Sequence, residues 1–349
     1  MIVMTVAASF FVAEVMVRVF TKPISGAQPI PYIAQGGFYT FPPLASETFI
    51  NEDGQKIVIK TDKYGLRNPP GALAQADVIL LGDSFITADN TPQKLTLAGR
   101  LEAKGLKVYN AGMDGFGTFE SLALLRHLLD KTQARTIILC FYLGNDFRDN
   151  YFARISQPGA PDAATPDKIS GTKLFFSSLW QKSRVLTFLY NRVYCGLIKG
   201  EAGNKIASYS LSEMMSYQLP NSEEMKQAAS KTLLALEALA KLAKARHLHI
   251  YIVGIPSKAQ VYKSFHEVSA FSVDKRSKAF ALKVIRGGYS FDHPDQVLRN
   301  LTAKAGLTYI SLLPLFRKNS AQPLYYQIDV HWTAVGQEIA ADYIFDKLK

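Results

Sequence analysis

A chain of 349 residues, 48% of them hydrophobic, can bury one large α/β core with room for a substantial insertion. Two cysteines, Cys140 and Cys195, exclude a disulfide framework, and no His or Cys cluster has the spacing of metal ligands. The net charge of +11 suits an anionic surface, but the basic residues are scattered and accompany no nucleic-acid-binding motif, so nucleic acid is not an expected partner.

Residues 1–20 are apolar apart from Thr5, Ser9, Glu14 and Arg18, and at about 1.5 Å per residue a helix here would span most of a bilayer core. Glu14 and Arg18 are spaced to pair on one helix face. The segment reads as a membrane anchor, as a signal peptide cleaved near Ser25-Gly26-Ala27 or, third, as a buried helix of a soluble protein. No basic region precedes the apolar run, which favours an anchor over residues 1–21. Either of the first two readings would place the bulk of the chain beyond a membrane. Residues 22–39 are rich in Pro, Gly and Gln, and the stretch 22–75 is expected to be linker and N-terminal extension.

From residue 76 onward strand and helix patterns alternate. Strands are expected over 78–81, 108–111, 136–143, 249–255 and 307–312, and helices over 93–103, 118–131, 223–247, 295–304 and 334–348. This alternation predicts a parallel sheet covered on both faces, a three-layer α/β/α sandwich occupying 76–349 with an insertion at about 150–221. Right-handed crossovers then bring the carboxyl ends of the strands to one rim. Cys140 falls in an apolar run and reads as a small buried hydrophobe. Within the insertion, 149–167 is expected to be a surface loop. Residues 174–197 have a helical period, with Phe175, Leu179, Leu186, Leu189 and Tyr190 beside Lys182, Arg184 and Arg192. They suit a lid, a membrane-facing amphipathic helix or plain core.

Four short motifs fall at the predicted rim. The first strand ends in Gly82-Asp83-Ser84, which places a hydroxyl at the mouth of the sheet or forms a capped strand-to-helix turn. The second ends in Asn110-Ala111-Gly112-Met113-Asp114-Gly115, where a glycine lets bare backbone approach a ligand. The third ends in Leu143-Gly144-Asn145-Asp146, and Asn145 either caps the next helix or presents an amide donor. Near the carboxyl terminus, Asp329 and His331 are spaced so that a carboxylate can fix an imidazole tautomer, with Thr333 available to cap the last helix. The other histidines compete poorly as a base. His127 looks helical, His247 and His249 sit at the wrong end of a strand, His293 lies in a turn before a helix, and His266 has no evident partner.

Together these motifs resemble the SGNH, or GDSL-type, hydrolase superfamily, in family order from position 82 to 331. The resemblance implies a flavodoxin-like strand order and a catalytic triad of Ser84, His331 and Asp329. It also implies an oxyanion hole made by the Ser84 and Gly115 backbone N–H groups and the Asn145 amide, with no metal or organic cofactor. The implied activity is cleavage of an acyl ester, such as an O-acetyl group, on a glycan or lipid. Two departures stand out. Leu143 replaces the usual glycine of the third motif, and the last motif is Asp-x-His-Trp. That spacing also occurs among relatives that O-acetylate exported polysaccharides, which keeps an O-acyltransferase open beside an esterase and a non-catalytic binding protein. The apolar amino terminus and the segment Thr61-Asp62-Lys63-Tyr64-Gly65-Leu66-Arg67 further resemble a membrane-anchored bacterial branch with a periplasmic catalytic domain. A flavin-binding protein is excluded, since the first strand ends in Gly-Asp-Ser rather than a Ser/Thr-rich phosphate loop.

Overall fold

The computed structural model describes residues 2–20, 33–51, 53–153, 155–157, 160–161, 185, 214–264, 284, 286–326 and 329–349. Five parallel strands form its centre: β1 (Val78–Gly82), β2 (Val108–Gly112), β3 (Thr136–Tyr142), β4 (His249–Ile255) and β5 (Thr308–Ser311). Their spatial order is β5-β4-β3-β1-β2. This is the flavodoxin-like arrangement, in which the connections reverse direction between β1 and β3 and leave a crevice at the carboxyl ends there. β1 runs in register with both neighbours, Leu81 pairing with Ala111 on β2 and Leu139 on β3.

Alternate side chains of each strand feed two cores. Ile79, Leu81, Tyr109, Ile137, Leu139 and Ile252 pack on one face, against α3 (Thr118–Leu129), α5 (Glu223–Arg246) and α6 (His293–Lys304). Val78, Leu80, Val108, Ile138, Cys140 and Val253 pack on the other. That face is covered by α1 (Ser84–Thr87), α2 (Leu97–Ala103) and α7 (Ala334–Leu348). The predicted strands and long helices are thus present with small shifts at their ends, and Cys140 is buried as expected. A further helix, α4 (Asp146–Phe152), follows β3 directly, so the surface loop predicted from residue 149 starts with helix. The patterned segment 174–197 lies outside the described residues, apart from Val185, as do Cys195 and His266.

Two expectations about the amino-terminal part need correction. The stretch read as linker and extension forms two antiparallel hairpins, Ile33–Gln35 with Phe38–Thr40 and Ser46–Ile50 with Lys56–Lys60. Phe38, Phe41, Ile57, Ile59 and Leu66 from this region are buried in the core on the α3 side. Residues 56–60 alternate outward Lys56, Val58 and Lys60 with inward Ile57 and Ile59, a period-2 pattern that fits a half-buried strand. The second correction concerns the membrane. Residues Ile2–Phe20 form a helix, but no helix among the described residues is long and apolar enough to cross a bilayer. Glu14 accepts a hydrogen bond from Val185 N at 3.0 Å, a polar tie to the chain's own insertion. A carboxylate at mid-helix is costly in hydrocarbon. The single-pass anchor expected over 1–21 is therefore without structural support.

The segment joining the second hairpin to β1 is fastened by buried polar side chains. Asp62 accepts from Tyr64 N and Leu66 N at 2.8 and 3.2 Å, and from the Tyr109 hydroxyl of β2 at 2.7 Å. Asn68 reads the free edge of β2 as a neighbouring strand would. Its amide donates to Asn110 O and its side-chain oxygen accepts from Asn110 N, both at 2.8 Å. Edge strands need such satisfaction wherever they are buried. Replacing Asn68 with Ala should leave both backbone groups unpaired and lower stability by about 2 kcal/mol, read as a reduced midpoint with unchanged slope in urea unfolding.

Candidate active site

Gly82 closes β1 at φ +154°, and a Cβ there would lie 2.6 Å from Ile86 Cγ1 and 3.0 Å from Cys140 O. Both the dihedral and the space therefore require glycine. This sharp turn lets α1 begin at once, with Asp83 as its N-cap accepting from Phe85 N at 2.9 Å. The capped-turn reading of Gly82-Asp83-Ser84 and the presented-hydroxyl reading are both met, because the cap is Asp83 and not Ser84. Ser84 is left partly exposed at the carboxyl end of the sheet.

The loop before α7 arrives at the same place. Tyr325 and Trp332 form an isolated antiparallel bridge, Tyr326 N donates to His331 O at 3.0 Å, and the Tyr325 hydroxyl ties the loop to Pro256 O at 2.8 Å beyond β4. Thr333 caps α7, accepting from Val335 N and Gly336 N. Between them, Asp329 folds the chain on itself by accepting from His331 N at 2.9 Å. This is an Asx-type turn that brings the His331 ring to the same carboxylate oxygen. His331 Nδ1 bonds Asp329 Oδ1, and His331 Nε2 lies 2.7 Å from Ser84 Oγ. A two-residue spacing thus suffices for the pairing, since the backbone N–H and the ring share one acceptor. Phe85, next to Ser84, packs its ring at a tilt 4.9 Å from the imidazole and edge-on 5.3 Å from Trp332, which is wholly buried.

Burial disfavours charge on both partners, and their pairing overcomes it. The imidazolium and hydrogen bonds from His331 and Asn90 hold the Asp329 carboxyl well below the usual carboxylate range. Burial alone would lower His331, but Asp329, Asp89 and Asp83 together raise it to about 9. The Asp83 and Asp89 carboxyls are themselves pushed up, chiefly by burial. When the imidazole is neutral, Nδ1–H donates to Asp329 and Nε2 accepts from the Ser84 hydroxyl. That tautomer can take a proton from a nucleophile and pass it on.

The two remaining predicted donors sit at neighbouring strand ends. Gly115 follows β2 at φ +73°, and Tyr39 Oη lies 3.0 Å from where its Cβ would be. The Tyr39 hydroxyl donates to Asp114 O at 2.6 Å and its ring packs edge-on against Phe116, so the first hairpin shapes this turn. Asn145 follows β3 and occupies the N-cap position of α4, yet its side chain makes no capping bond and its Oδ1 has no hydrogen-bond partner. The turn is closed by Asp146, which accepts from Tyr142 N at 3.0 Å. The capping alternative for Asn145 is thereby removed, and its amide is not committed to the helix start. The other described histidines stay outside the site. His127 lies on α3 against Phe38, His247 is the αL cap of α5, His249 opens β4, and His293 contacts Asn221.

Asn90 carries no sequence signal, and Arg67, although it closes the 61–67 motif, carries none for the contacts it makes here. Asn90 Nδ2 donates to Asp329 Oδ2 at 3.0 Å across 239 positions of sequence. Arg67, buried in the core, donates to the carbonyls of Thr87, Ala88 and Thr91 and so clamps the loop that follows α1. Single side-chain bonds between distant segments leave no spacing or period to read. Among the described residues no group of three or more His, Cys, Asp or Glu could hold a metal ion.

No known family profile matches this chain, and no curated protein matches it in sequence. Solved structures resemble it at low identity. An α/β hydrolase enzyme, LAE5, from the metagenome of Lake Arreo, Spain, is 8% identical over 78% of this chain and 94% of its own, with a TM-score of 0.41. The acetyl xylan esterase AlAXEase is 11% identical over 78% and 99%, at 0.40. A putative lipolytic protein of the G-D-S-L family from Desulfitobacterium hafniense is 8% identical over 77% and 97%, at 0.39. Likeness at this level says nothing of chemistry, which rests here on the positions of the side chains.

The charge pair has a direct spectroscopic consequence. In a ring-carbon NMR titration His331 should lose its proton near pH 9, because the facing carboxylates favour the charged imidazolium. In Asp329→Asn the midpoint should fall to the ordinary histidine range of about 6.5 or below it, since burial then meets less opposition.

Proposed function

We propose that this chain is an esterase with Ser84 as nucleophile, cleaving an acyl ester through an acyl-enzyme. The observation that supports it is the row Ser84 Oγ, His331 Nε2 at 2.7 Å, His331 Nδ1 and Asp329 Oδ1 at the carboxyl rim of a parallel sheet. In the first half-reaction Ser84 Oγ attacks the ester carbonyl carbon while its proton moves to His331 Nε2. Asp329 stabilises the imidazolium that results. The tetrahedral oxyanion is received by the backbone N–H groups of Ser84 and Gly115 and by the Asn145 amide. Collapse breaks the ester C–O bond, and His331 returns its proton to the departing alcohol. Water then attacks the acyl-serine by the same path and releases the acid. The substrate is an acyl ester such as an O-acetyl group on a glycan or lipid.

Proton abstraction requires the neutral imidazole, so a base raised to about 9 makes kcat/KM climb with pH through that region and not near 6.5. Hydrolysis of p-nitrophenyl acetate followed from pH 6 to pH 10 checks this sign. In the same assay Ser84→Ala should lose activity by roughly 10⁴-fold or more, with unchanged circular dichroism. Asn145→Ala should lose about 10²- to 10³-fold through the missing oxyanion donor. Undiminished turnover by Ser84→Ala would remove the nucleophile from this reading. If a sugar hydroxyl in place of water receives the acyl group, the enzyme is an O-acyltransferase. Mass spectrometry of an acetylated glycan acceptor against released acetate separates the two. A non-catalytic binding protein would leave Ser84 unlabelled by a fluorophosphonate probe.

A further inference from the structure

Asp329 has two carboxylate oxygens with different tasks. Oδ1 serves His331 through both its backbone and its ring, while Oδ2 accepts from Asn90 Nδ2 at 3.0 Å. Without a partner on Oδ2 the carboxylate could swing about its Cβ–Cγ bond and lose the plane that aims the imidazole at Ser84. Asn90 is itself held on every side and is buried. Its side-chain oxygen accepts from the Thr91 hydroxyl at 3.2 Å. Its backbone oxygen accepts from Asn51 Nδ2 at 3.0 Å and from the Tyr326 hydroxyl at 3.1 Å. Asn51 opens the turn of the second hairpin, where its Oδ1 accepts from Gln55 N at 2.8 Å, and Tyr326 belongs to the loop that carries Asp329. The Arg67 clamp on the carbonyls of Thr87, Ala88 and Thr91 fixes the backbone on both sides of Asn90.

We propose that Asn90 is a positioning residue for the triad, a side-chain amide that fixes the Asp329 carboxylate, and that the amino-terminal hairpins act on catalysis by holding Asn90 through Asn51. This rests on the esterase reading of Ser84, His331 and Asp329. The donated hydrogen bond disperses the negative charge of Asp329. Removing it makes the carboxylate a stronger base, which holds the His331 proton more tightly and leaves the pair less well aimed. Other charged groups face this pair and are unchanged in the test: Asp83 and Asp89 toward His331, and Asp114 and Arg67 toward Asp89.

The test uses the full chain and p-nitrophenyl acetate, with kcat, KM and the pH profile of kcat/KM measured for Asn90→Leu. Tyr326→Phe, which removes the hydroxyl that donates to the Asn90 carbonyl and accepts from Asn51 Nδ2 at 3.3 Å while leaving the Asn90 amide in place, serves as a gentler second variant. The expected result for Asn90→Leu is a fall in kcat of about 10- to 100-fold with KM nearly constant, the size expected for one hydrogen bond to a charged group. The lower limb of the pH profile should move upward. Tyr326→Phe should show the same two changes, smaller, and decides the matter if Asn90→Leu does not fold. Unchanged kinetics, or a lower kcat with a limb that stays in place or moves down, overturns the positioning role. Ser84→Ala run alongside keeps the two questions apart. Its inactivity with an unaffected Asn90→Leu rejects only the role of Asn90, whereas an active Ser84→Ala rejects the nucleophile itself.

Discussion

The contact between Ser84 Oγ and His331 Nε2 is the constraint on which the rest of the site depends. It joins residues 247 positions apart, and it holds only if two separate turns are both rigid to within a fraction of an ångström. One turn is made rigid by Gly82, whose missing side chain lets α1 start directly against β3. The other is made rigid by Asp329 accepting from the backbone of His331 and by the Tyr325–Trp332 bridge. Neither turn contributes much to stability by itself. Their value lies in fixing where two side chains point.

Electrostatics sets the character of the site. Several carboxyls, among them Asp83, Asp89, Asp114, Asp146 and Asp329, lie in or near it, and burial raises the proton affinity of Asp83, Asp89 and Asp146. Asp329 escapes that trend because the imidazolium pairs with it and His331 and Asn90 both donate hydrogen bonds to it. The result is a strongly basic imidazole in a chain that is otherwise positively charged. A buried ion pair of this sort is weak evidence of stability, since desolvation opposes the Coulomb gain. It is better understood as a device that keeps one tautomer and one ring orientation.

The amino-terminal hairpins and the segment that joins them to β1 give the site its walls. Tyr39 shapes the turn of Gly115, Asn51 grips Asn90, Arg67 clamps the loop after α1, and Asn68 satisfies the edge of β2. A sheet of five strands supplies the ends on which the functional residues stand, but the loops between those ends are long enough to wander. Buried side chains reaching to main-chain carbonyls are what stop them.

The sequence by itself determined the elements whose signals are local. Runs such as Val-Ile-Leu-Leu before Gly-Asp-Ser mark strands buried on both faces, and the apolar stripes of α3 and α5 mark the helices that cover them. It also determined which residue types were available for chemistry, with Ser84, Asn145 and the Asp329/His331 pair each at a predicted strand end or loop. Three matters were decided by tertiary structure alone. The segment from 33 to 60 became two hairpins packed on the core: the alternation over 56–60 marks a strand locally, but only the fold supplies the hydrophobic face that Ile57 and Ile59 enter. Asn145 could cap a helix or not until the Asp146 carboxylate was seen to close the same turn. Asn90 and Arg67 acquired their partners only on folding, because side-chain hydrogen bonds between separate segments follow no period. Short-range periodicity is written along the chain; long-range complementarity exists only once the sheet order has brought the strand ends together.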